Sequence, residues 1–183
     1  MSPGAGVERI ALEVVSSEPV YKGHVVDLRI TEYRRPSGMV VRREVLDHPG
    51  AVVMVPVEDD HVLMVRQPRE AVGERLLELP AGKLDAAGES PLDCARRELA
   101  EEVGRQAATW RDLGGFYTAP AILTEFIHCF MATGLAPVAH EPIAEEEIEV
   151  VPWPLAGLDE LIAGVHDAKS LIGLLRLARE LRA

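Results

Sequence analysis

The sequence predicts an α/β (α+β) fold, a sandwich built around a mixed sheet. Its elements run in the order strands, one helix, more strands and two terminal helices, which differs from regular βαβ alternation. A nearly continuous apolar run over residues 51–57 predicts a buried strand. At 183 residues the chain is long enough for one domain with a full core and a small appendage.

The N-terminal third predicts a small β appendage followed by the main domain. Between residues 12 and 45, short β-rich runs alternate with turn signals such as Arg35-Pro36-Ser37-Gly38, which is typical of an antiparallel meander. A second region opens at His48-Pro49-Gly50, and the strand at 51–57 is followed by another at 62–65. We therefore expect an appendage over residues 1–47 and a main domain over 48–183.

One helix has both of its ends marked in the sequence. A short strand before Pro80 leads into a loop that runs to Glu89. Ser90 is a good N-cap, Pro91 suits the first helical position and Asp93 completes a variant of the capping box. Because Gly104 is placed to end the helix, we expect it to span about residues 90–103.

The remaining elements are predicted from shorter patterns. Strands are expected at residues 113–117, 126–132 and 149–153. Two helices, at about 155–163 and 168–181, close the chain, and Asp167 is a plausible cap for the second.

Composition excludes several classes of function. A formal net charge of −11 opposes attraction to nucleic acid or to anionic membranes, and an aromatic content of 4% leaves few platforms for base stacking. No segment approaches the roughly 18 apolar residues of a membrane span, and no basic region followed by an apolar stretch opens the chain. The two cysteines lack C-x-x-C spacing, which favours a reducing compartment without a zinc site. We expect a cytoplasmic protein.

The central helix carries an acidic cluster. Glu98, Glu101 and Glu102 stand at positions i, i+3 and i+4, so their carboxylates project from one side of the helix. A neighbouring apolar stripe can dock the helix on a sheet; it consists of Leu92, Ala95, Leu99 and Val103. Taken alone, the cluster is better explained as a solvated face, because such like-charge pairs cost only a few tenths of a kcal/mol.

The surroundings of the cluster identify it. Gly82 is followed after six residues by Glu89, and after seven more by Arg97-Glu98-Leu99-Ala100-Glu101-Glu102-Val103-Gly104. This stretch resembles the Nudix box, G-x5-E-x7-R-E-U-x-E-E-x-G-U, where U is a bulky aliphatic residue. The first spacer, residues 83–88, is one residue longer than the pattern, and Arg105 occupies the final aliphatic position. A loop absorbs an extra residue without moving the helix, but its shape is left open.

The resemblance implies a Nudix-type α/β/α sandwich with a Mg²⁺ site. Two or more Mg²⁺ ions, for which Mn²⁺ can substitute, would be held by Glu98, Glu101, Glu102 and the carbonyl of Ala81. Mg²⁺ takes hard oxygen ligands, and bound ions neutralise a diphosphate and activate a water. Cations held this way would turn an acidic cleft into a phosphate site.

The other residues of the box are implied to be structural. Gly82, Glu89, Arg97 and Gly104 belong to this group, with Arg97 expected to pair with Glu89 and hold the loop against the helix. A solvated charge is the alternative for Arg97. Cys94 lies one turn before Glu98, where packing is favoured over metal ligation.

Outside the box, the chain resembles the ADP-ribose pyrophosphatase branch of the family. Val65-Arg66-Gln67-Pro68-Arg69 is similar to the branch phrase V-R-Q-Y-R, and residues 167–172 are similar to D-A-K-T-L-I. Pro120 lies sixteen residues beyond Gly104 in a phrase similar to S-P-G-x-S/T-E, with Ala121 in place of the usual glycine. The resemblance implies a homodimer formed through the N-terminal appendage and hydrolysis of ADP-ribose to AMP and ribose 5-phosphate.

Further site residues are implied by the same branch. The catalytic base is expected among Glu145, Glu146 and Glu147, although each is equally well a solvated loop charge. The candidates for substrate contact are Arg43, Arg66, Arg69, Pro120 and Glu125. Guanidinium stacks on a base and binds phosphate through two nitrogens; an exposed strand arginine is the alternative for each.

Two other functions stay open. The substrate could instead be another nucleoside diphosphate sugar, NADH or an oxidised nucleotide. A non-catalytic domain that senses ADP-ribose is disfavoured, because the box keeps all its carboxylates.

Overall fold

A computed structural model describes residues 8, 10–139 and 147–182, and the chain divides into two compact units. The first comprises Met1–His48 with Ala119–Glu125, and the second comprises Pro49–Thr118 with Phe126–Ala183. Assignment of a dimerisation role to residues 1–47 and of the catalytic role to 48–183 stays a prediction.

The first unit is built on the small antiparallel sheet that the sequence predicts. Its strands, in spatial order, are β1 (Glu13–Lys22), β2 (Asp27–Arg34) and β3 (Val40–Asp47). Ala119–Glu125 joins the end of β3: the Leu46 amide donates to the Ile122 carbonyl at 2.8 Å, and the Thr124 amide donates to the Leu46 carbonyl at 3.0 Å. All ten residues of β1 are exposed.

The second unit contains a seven-stranded sheet. Its strands are β4 (Ala51–Glu58), β5 (His61–Arg69), β6 (Glu74–Glu78), β7 (Ala81–Lys83), β8 (Arg105–Tyr117), β9 (Phe126–Pro137) and β10 (Glu149–Pro154). The main order is β10-β5-β4-β9-β8, with β6 paired to β5 and β7 paired to β4. Because β4 and β9 are parallel while their neighbours pair antiparallel, the sheet is mixed, as predicted.

Helices cover both faces of this sheet. They are α1 (Pro91–Val103), α2 (Leu158–Gly164) and α3 (Ala168–Glu180), and a 3₁₀ turn (Leu155–Gly157) precedes α2. Along β4, Val52 and Met54 pack in the core beneath α1, whereas Val53 and Val55 pack in the core beneath α2 and α3. This alternation confirms the predicted α/β/α sandwich, because a strand buried on both faces needs a layer on each.

Helix α1 begins and ends as its sequence predicts. The Ser90 hydroxyl accepts the Asp93 amide at 3.2 Å and donates to the Asp93 carboxylate at 2.6 Å. Gly104 adopts the left-handed conformation, with φ 66°, and its amide donates to the Ala100 carbonyl at 3.1 Å. These caps fix the helical stretch that carries the acidic cluster.

Strands β5 and β9 extend beyond their predicted ends, to Arg69 and Pro137, and three other elements also differ from expectation. Strand β8 begins at Arg105, eight residues before the predicted start, because its first half is a polar, partly exposed edge strand without an apolar run. Strand β7 is three residues long and was not predicted. The helix expected over 155–163 is divided into a 3₁₀ turn and α2 next to Gly157, whose carbonyl accepts the Trp153 indole at 3.1 Å. In the part of the chain that is described, no helix is long and apolar enough to cross a membrane.

The start of α3 is tied to the strand that leads into the box. Asp167 caps α3 by accepting the Ser170 amide at 2.9 Å. The buried Ser170 hydroxyl donates to the same carboxylate at 2.5 Å and accepts the Leu79 amide at 2.7 Å. Because Leu79 is two residues before Ala81, this relay fixes the backbone of the loop from the α3 side.

A network of charged side chains around the buried Glu78 also connects the end of β6 to the start of α3. Glu78 is 1% exposed and accepts two hydrogen bonds from Arg69, each at 2.7 Å. The Lys169 ammonium pairs with the same carboxylate and lies 3.0 Å from Asp167. Burial raises the pKa of Glu78, but the hydrogen bonds from Arg69 and the charge of Lys169 outweigh it and leave the pKa below its ordinary value.

Ser170→Ala is expected to lower the free energy of unfolding by about 1–3 kcal/mol, because it leaves the Leu79 amide without its acceptor. Ser170→Thr keeps the hydroxyl and should lie closer to the wild type. Urea unfolding of the three proteins measures the difference. An alanine variant as stable as the wild type would show that the relay does not support the fold.

Glu78→Gln is expected to destabilise the protein in a pH-dependent way. The folded-state pKa of Glu78 lies below the ordinary 4.5, so its contribution is complete above that pH and is lost as the pH falls toward the folded-state pKa. Near neutral pH the variant should be less stable by about 2–4 kcal/mol, because removal of one charge leaves its buried partners unpaired. The cost stays moderate because water can reach the partly exposed Arg69. The gap in urea unfolding should narrow as the pH falls below about 4.5 toward the folded-state pKa. A gap that stays constant contradicts the network.

Candidate active site

The short strand β7 lies directly against α1. Glu98 packs so closely on Gly82 that a Cβ added at this glycine would overlap the Glu98 carboxylate. One turn further along α1, Glu102 accepts the Ala81 amide at 3.0 Å. Both carboxylates are largely buried, with the Glu98 side chain 14% exposed and Glu102 9% exposed. The glycine of the box is therefore required by a close approach of side chain to backbone.

Arg97 is the charge centre of this site. Its guanidinium binds both oxygens of Glu89, at 3.0 and 3.1 Å, and donates to Glu98 at 2.7 Å and to Glu101 at 2.9 Å. The hydrogen bonds to Glu89 raise the pKa of Arg97, and they lower the pKa of the Glu89 carboxyl. One guanidinium thus joins the loop to α1 through three carboxylates.

Cys94 is packed beneath the loop. Its side chain is buried and its thiol donates to the Lys83 carbonyl at 3.3 Å. Burial raises the pKa of the thiol to about 12, and the negative charge of Glu98 adds to the shift. The residue therefore stays a neutral thiol at physiological pH, which fits packing.

The two departures from the box pattern have local explanations. The longer spacer includes Gly88, which adopts φ 80° and meets no atom where a Cβ would stand, so the extra residue is accommodated in an open turn. Arg105 is held by two hydrogen bonds to Glu58, at 2.8 and 3.2 Å. This pairing raises the pKa of Arg105 and compensates its charge at a position where the pattern has an aliphatic residue.

The donor chemistry of the site fits Mg²⁺. Glu98, Glu101 and Glu102 offer oxygen ligands from adjacent turns of one helix, next to the Ala81 backbone. As placed, no three His, Cys, Asp or Glu side chains of the described ranges are grouped as an ion would require. Instead, Arg97 bridges Glu98 and Glu101 and supplies the counter-charge between them.

Two of the three arginines predicted to contact the substrate belong to the second unit, and both are paired with carboxylates. Arg66 donates to Glu149 at 3.2 Å, and Arg69 is bound to Glu78. In the first unit, Arg43 is exposed and donates to the Arg42 carbonyl at 2.7 Å.

The remaining candidates of the first unit lie in Ala119–Glu125. Pro120 opens a turn in which the Ala119 carbonyl accepts the amides of Ile122 and Leu123 at 3.0 and 2.8 Å. Glu125 lies 3.5 Å from the largely buried His48 imidazole.

Of the three candidate catalytic bases, the structure describes one. Glu145 and Glu146 lie outside the described residues. Glu147 is described, and it accepts hydrogen bonds from Arg75. Sequence reasoning did not single out Arg75, Glu78 or Lys169. The available signal was a charged residue inside or beside an apolar run, such as Glu78 between Leu77 and Leu79.

Fold and site together define a class: an α/β/α sandwich whose capped acidic helix, set against a glycine-containing short strand, offers oxygen ligands for divalent cations. A family model described as NUDIX domain matches residues 47–172, and the chain belongs to the Nudix family. This confirms the family that the sequence predicts.

Similar proteins agree with this assignment. An ADP-ribose pyrophosphatase of Mycobacterium tuberculosis is 45% identical over 147 residues, covering 79% of this chain and 71% of the relative. An ADP-ribose pyrophosphatase of Bacillus subtilis is 33% identical over 178 residues, covering 93% and 96%. A solved structure described as an ADP compounds hydrolase matches the fold with a TM-score of 0.83 at 24% identity, covering 96% of this chain and 97% of that one.

Gly82→Ala is expected to weaken metal binding, because the new Cβ displaces the Glu98 carboxylate. Displacement of a ligand should cost at least the roughly 10–100-fold in affinity that outer-shell changes cost. Titration calorimetry with Mn²⁺ measures it. Gly164→Ala is the matched control, since a Cβ there meets no atom within 4 Å. Equal affinity in the Gly82 variant and the control contradicts the assigned contact.

Proposed function

We propose that the protein hydrolyses the diphosphate linkage of ADP-ribose in a Mg²⁺-dependent reaction that yields AMP and ribose 5-phosphate. The observation that carries the proposal is the arrangement of Glu98 and Glu102 against the backbone of Gly82 and Ala81. Membership of the Nudix family and the ADP-ribose pyrophosphatases among its relatives support the choice of substrate.

In the proposed reaction, two or more Mg²⁺ ions would be held by Glu98, Glu101, Glu102 and the Ala81 carbonyl. Bound ions supply neutralisation of the diphosphate and activation of the attacking water. Arg97 keeps α1 and the Glu89 loop in register, so that the carboxylates stay on one side. Glu145 or Glu146 accepts the proton of the water, a role for which a carboxylate beside an activated water is suited.

Substrate contacts in this proposal come from Arg43, Arg66, Arg69, Pro120 and Glu125. Arg43 has the most freedom, because its contact is to a neighbouring carbonyl and its side chain is exposed. Arg69 binds the buried Glu78 through Nε and Nη2, and its partly exposed side chain would contact the substrate while it keeps this pair. Arg66 would have to exchange its contact with Glu149 for a phosphate or a base.

We further propose a homodimer formed through the first unit, located in the cytoplasm. Exposed apolar side chains lie on its edge strand β1 and just before it, and they support a second copy of this chain as the partner: Ile10, Leu12, Val14, Val15, Val20 and Tyr21. Both cysteines are free and buried, which agrees with a reducing compartment. Sedimentation analysis decides the oligomeric state.

The purified protein, mixed with Mg²⁺ and ADP-ribose, is expected to release AMP, and removal of the cation with a chelator should stop the reaction. Glu102→Gln keeps the shape of the side chain but loses a charged ligand, so its kcat should fall by more than the roughly 10–100-fold expected for an outer-shell change. Glu160→Gln, on the exposed face of α2, is the control.

A panel of other substrates tests the alternatives. It contains other nucleoside diphosphate sugars, NADH and an oxidised nucleoside triphosphate. Faster turnover of one of these reassigns the substrate, and this matters because Ala121 replaces the glycine of the branch phrase. Binding of ADP-ribose without turnover of any compound would falsify the catalytic proposal and favour a sensing role.

A further inference from the structure

Glu147 is held by one arginine through both its side chain and its backbone. Arg75 Nη1 donates to the Glu147 carboxylate at 2.9 Å, and Arg75 Nη2 donates to the Glu147 carbonyl at 3.0 Å. Glu147 adopts φ 47°, in the left-handed region that residues other than glycine occupy rarely and only when their surroundings hold them there. The double contact provides such a constraint.

The strand registers explain why Arg75 reaches this position. Arg75 is the partner of Pro68 in the β5–β6 pairing. On the other edge of β5, pairing with β10 ends at Arg66↔Glu149, and continuation of that register brings Glu147 opposite Pro68. Pro68 has no amide hydrogen to offer a ladder, whereas the Arg75 side chain does supply donors to Glu147. At the Pro68 position, the Arg75 guanidinium therefore holds Glu147 in place of a backbone hydrogen bond.

We propose that Arg75 is a positioning residue for catalysis, an inference that rests on the proposed function. In this proposal Glu147 is not the catalytic base. It anchors the chain next to Glu146 and Glu145. The catalytic base has to accept a proton from water. The Glu147 carboxylate and carbonyl are both engaged by Arg75, and its backbone direction is fixed. A second contact, from Arg66 to Glu149, lies two residues further along the same pairing.

Because the Arg75–Glu147 ion pair is exposed, we expect it to set the position of the chain and to add little to the stability of the fold. The side chains of Arg75 and Glu147 are 44% and 66% exposed, and ion pairs at such sites contribute little to the free energy of folding. A small error in the placement of a catalytic group, in contrast, lowers the rate strongly. Removal of the contact should therefore change kcat more than it changes unfolding.

The first arm of the test is steady-state kinetics with ADP-ribose and Mg²⁺. Arg75→Ala should lower kcat about tenfold and leave KM within about twofold, and Arg75→Lys should restore part of kcat because it keeps a charged donor. Arg111→Ala is the matched control, an exposed arginine of β8 paired with Glu180, and should match the wild type. An unchanged kcat, or a rise in KM alone, overturns the proposal.

The second arm separates an anchor from a base. Glu147→Ala should lower kcat no more than Arg75→Ala does, and the double variant should resemble the arginine variant alone, because both changes break one contact. A loss of roughly 10²–10⁴-fold in Glu147→Ala is what removal of a general base costs. That outcome, or additive losses in the double variant, overturns the proposal.

The third arm does not depend on the substrate. Amide hydrogen exchange over residues 148–151 should be faster in Arg75→Ala than in the wild type and in Arg111→Ala. If the wild type fails to cut ADP-ribose but this acceleration is seen, the proposed function fails while the anchor is retained. Unchanged exchange overturns the anchor, whether or not the enzyme is active.

Discussion

The site depends on one charge interaction, the contact of the Arg97 guanidinium with three carboxylates. Glu98 and Glu101 would repel each other on α1, and the repulsion grows as water is removed from around them. Arg97 lies between them and at the same time holds Glu89, which follows the loop of the longer spacer. A single side chain therefore allows the helix to carry a dense acidic cluster and fixes the loop that faces it.

The short segment from Glu78 to Gly82 is held from both faces of the sheet. Helix α3 fixes its beginning, where Lys169 pairs with Glu78 and Ser170 accepts the Leu79 amide. Helix α1 fixes its end, through Glu102 on the Ala81 amide and Glu98 on Gly82. The three layers of the sandwich thus meet at the segment that would present the Ala81 carbonyl to a cation. Residues 167–172 and the helix of the box are far apart in the sequence, but both contact this segment.

Local sequence signals predict the parts of this structure that are governed by local chemistry. The caps at Ser90 and Gly104, the apolar run of β4 and the spacing of the box lead to α1, the central strand and the family. The partner of Arg75 follows instead from the registers of β5 with β6 and β10, which no neighbouring residues encode. The polar first half of β8 was missed for the same reason, because edge pairing, not apolar periodicity, defines it.

Charge balance around the site connects the fold to its cation requirement. Arg97, Arg69, Arg75 and Arg66, all in the second unit, are each paired with carboxylates that the fold itself supplies. A diphosphate would add negative charge to a protein whose formal net charge is already −11. Because these four guanidinium groups already pair with carboxylates of the described residues, cations that arrive with the substrate or before it would supply further compensating charge. Divalent cations on α1 would meet that need, and Arg97 could keep its two hydrogen bonds to Glu89 while Glu98 and Glu101 turn toward the ions.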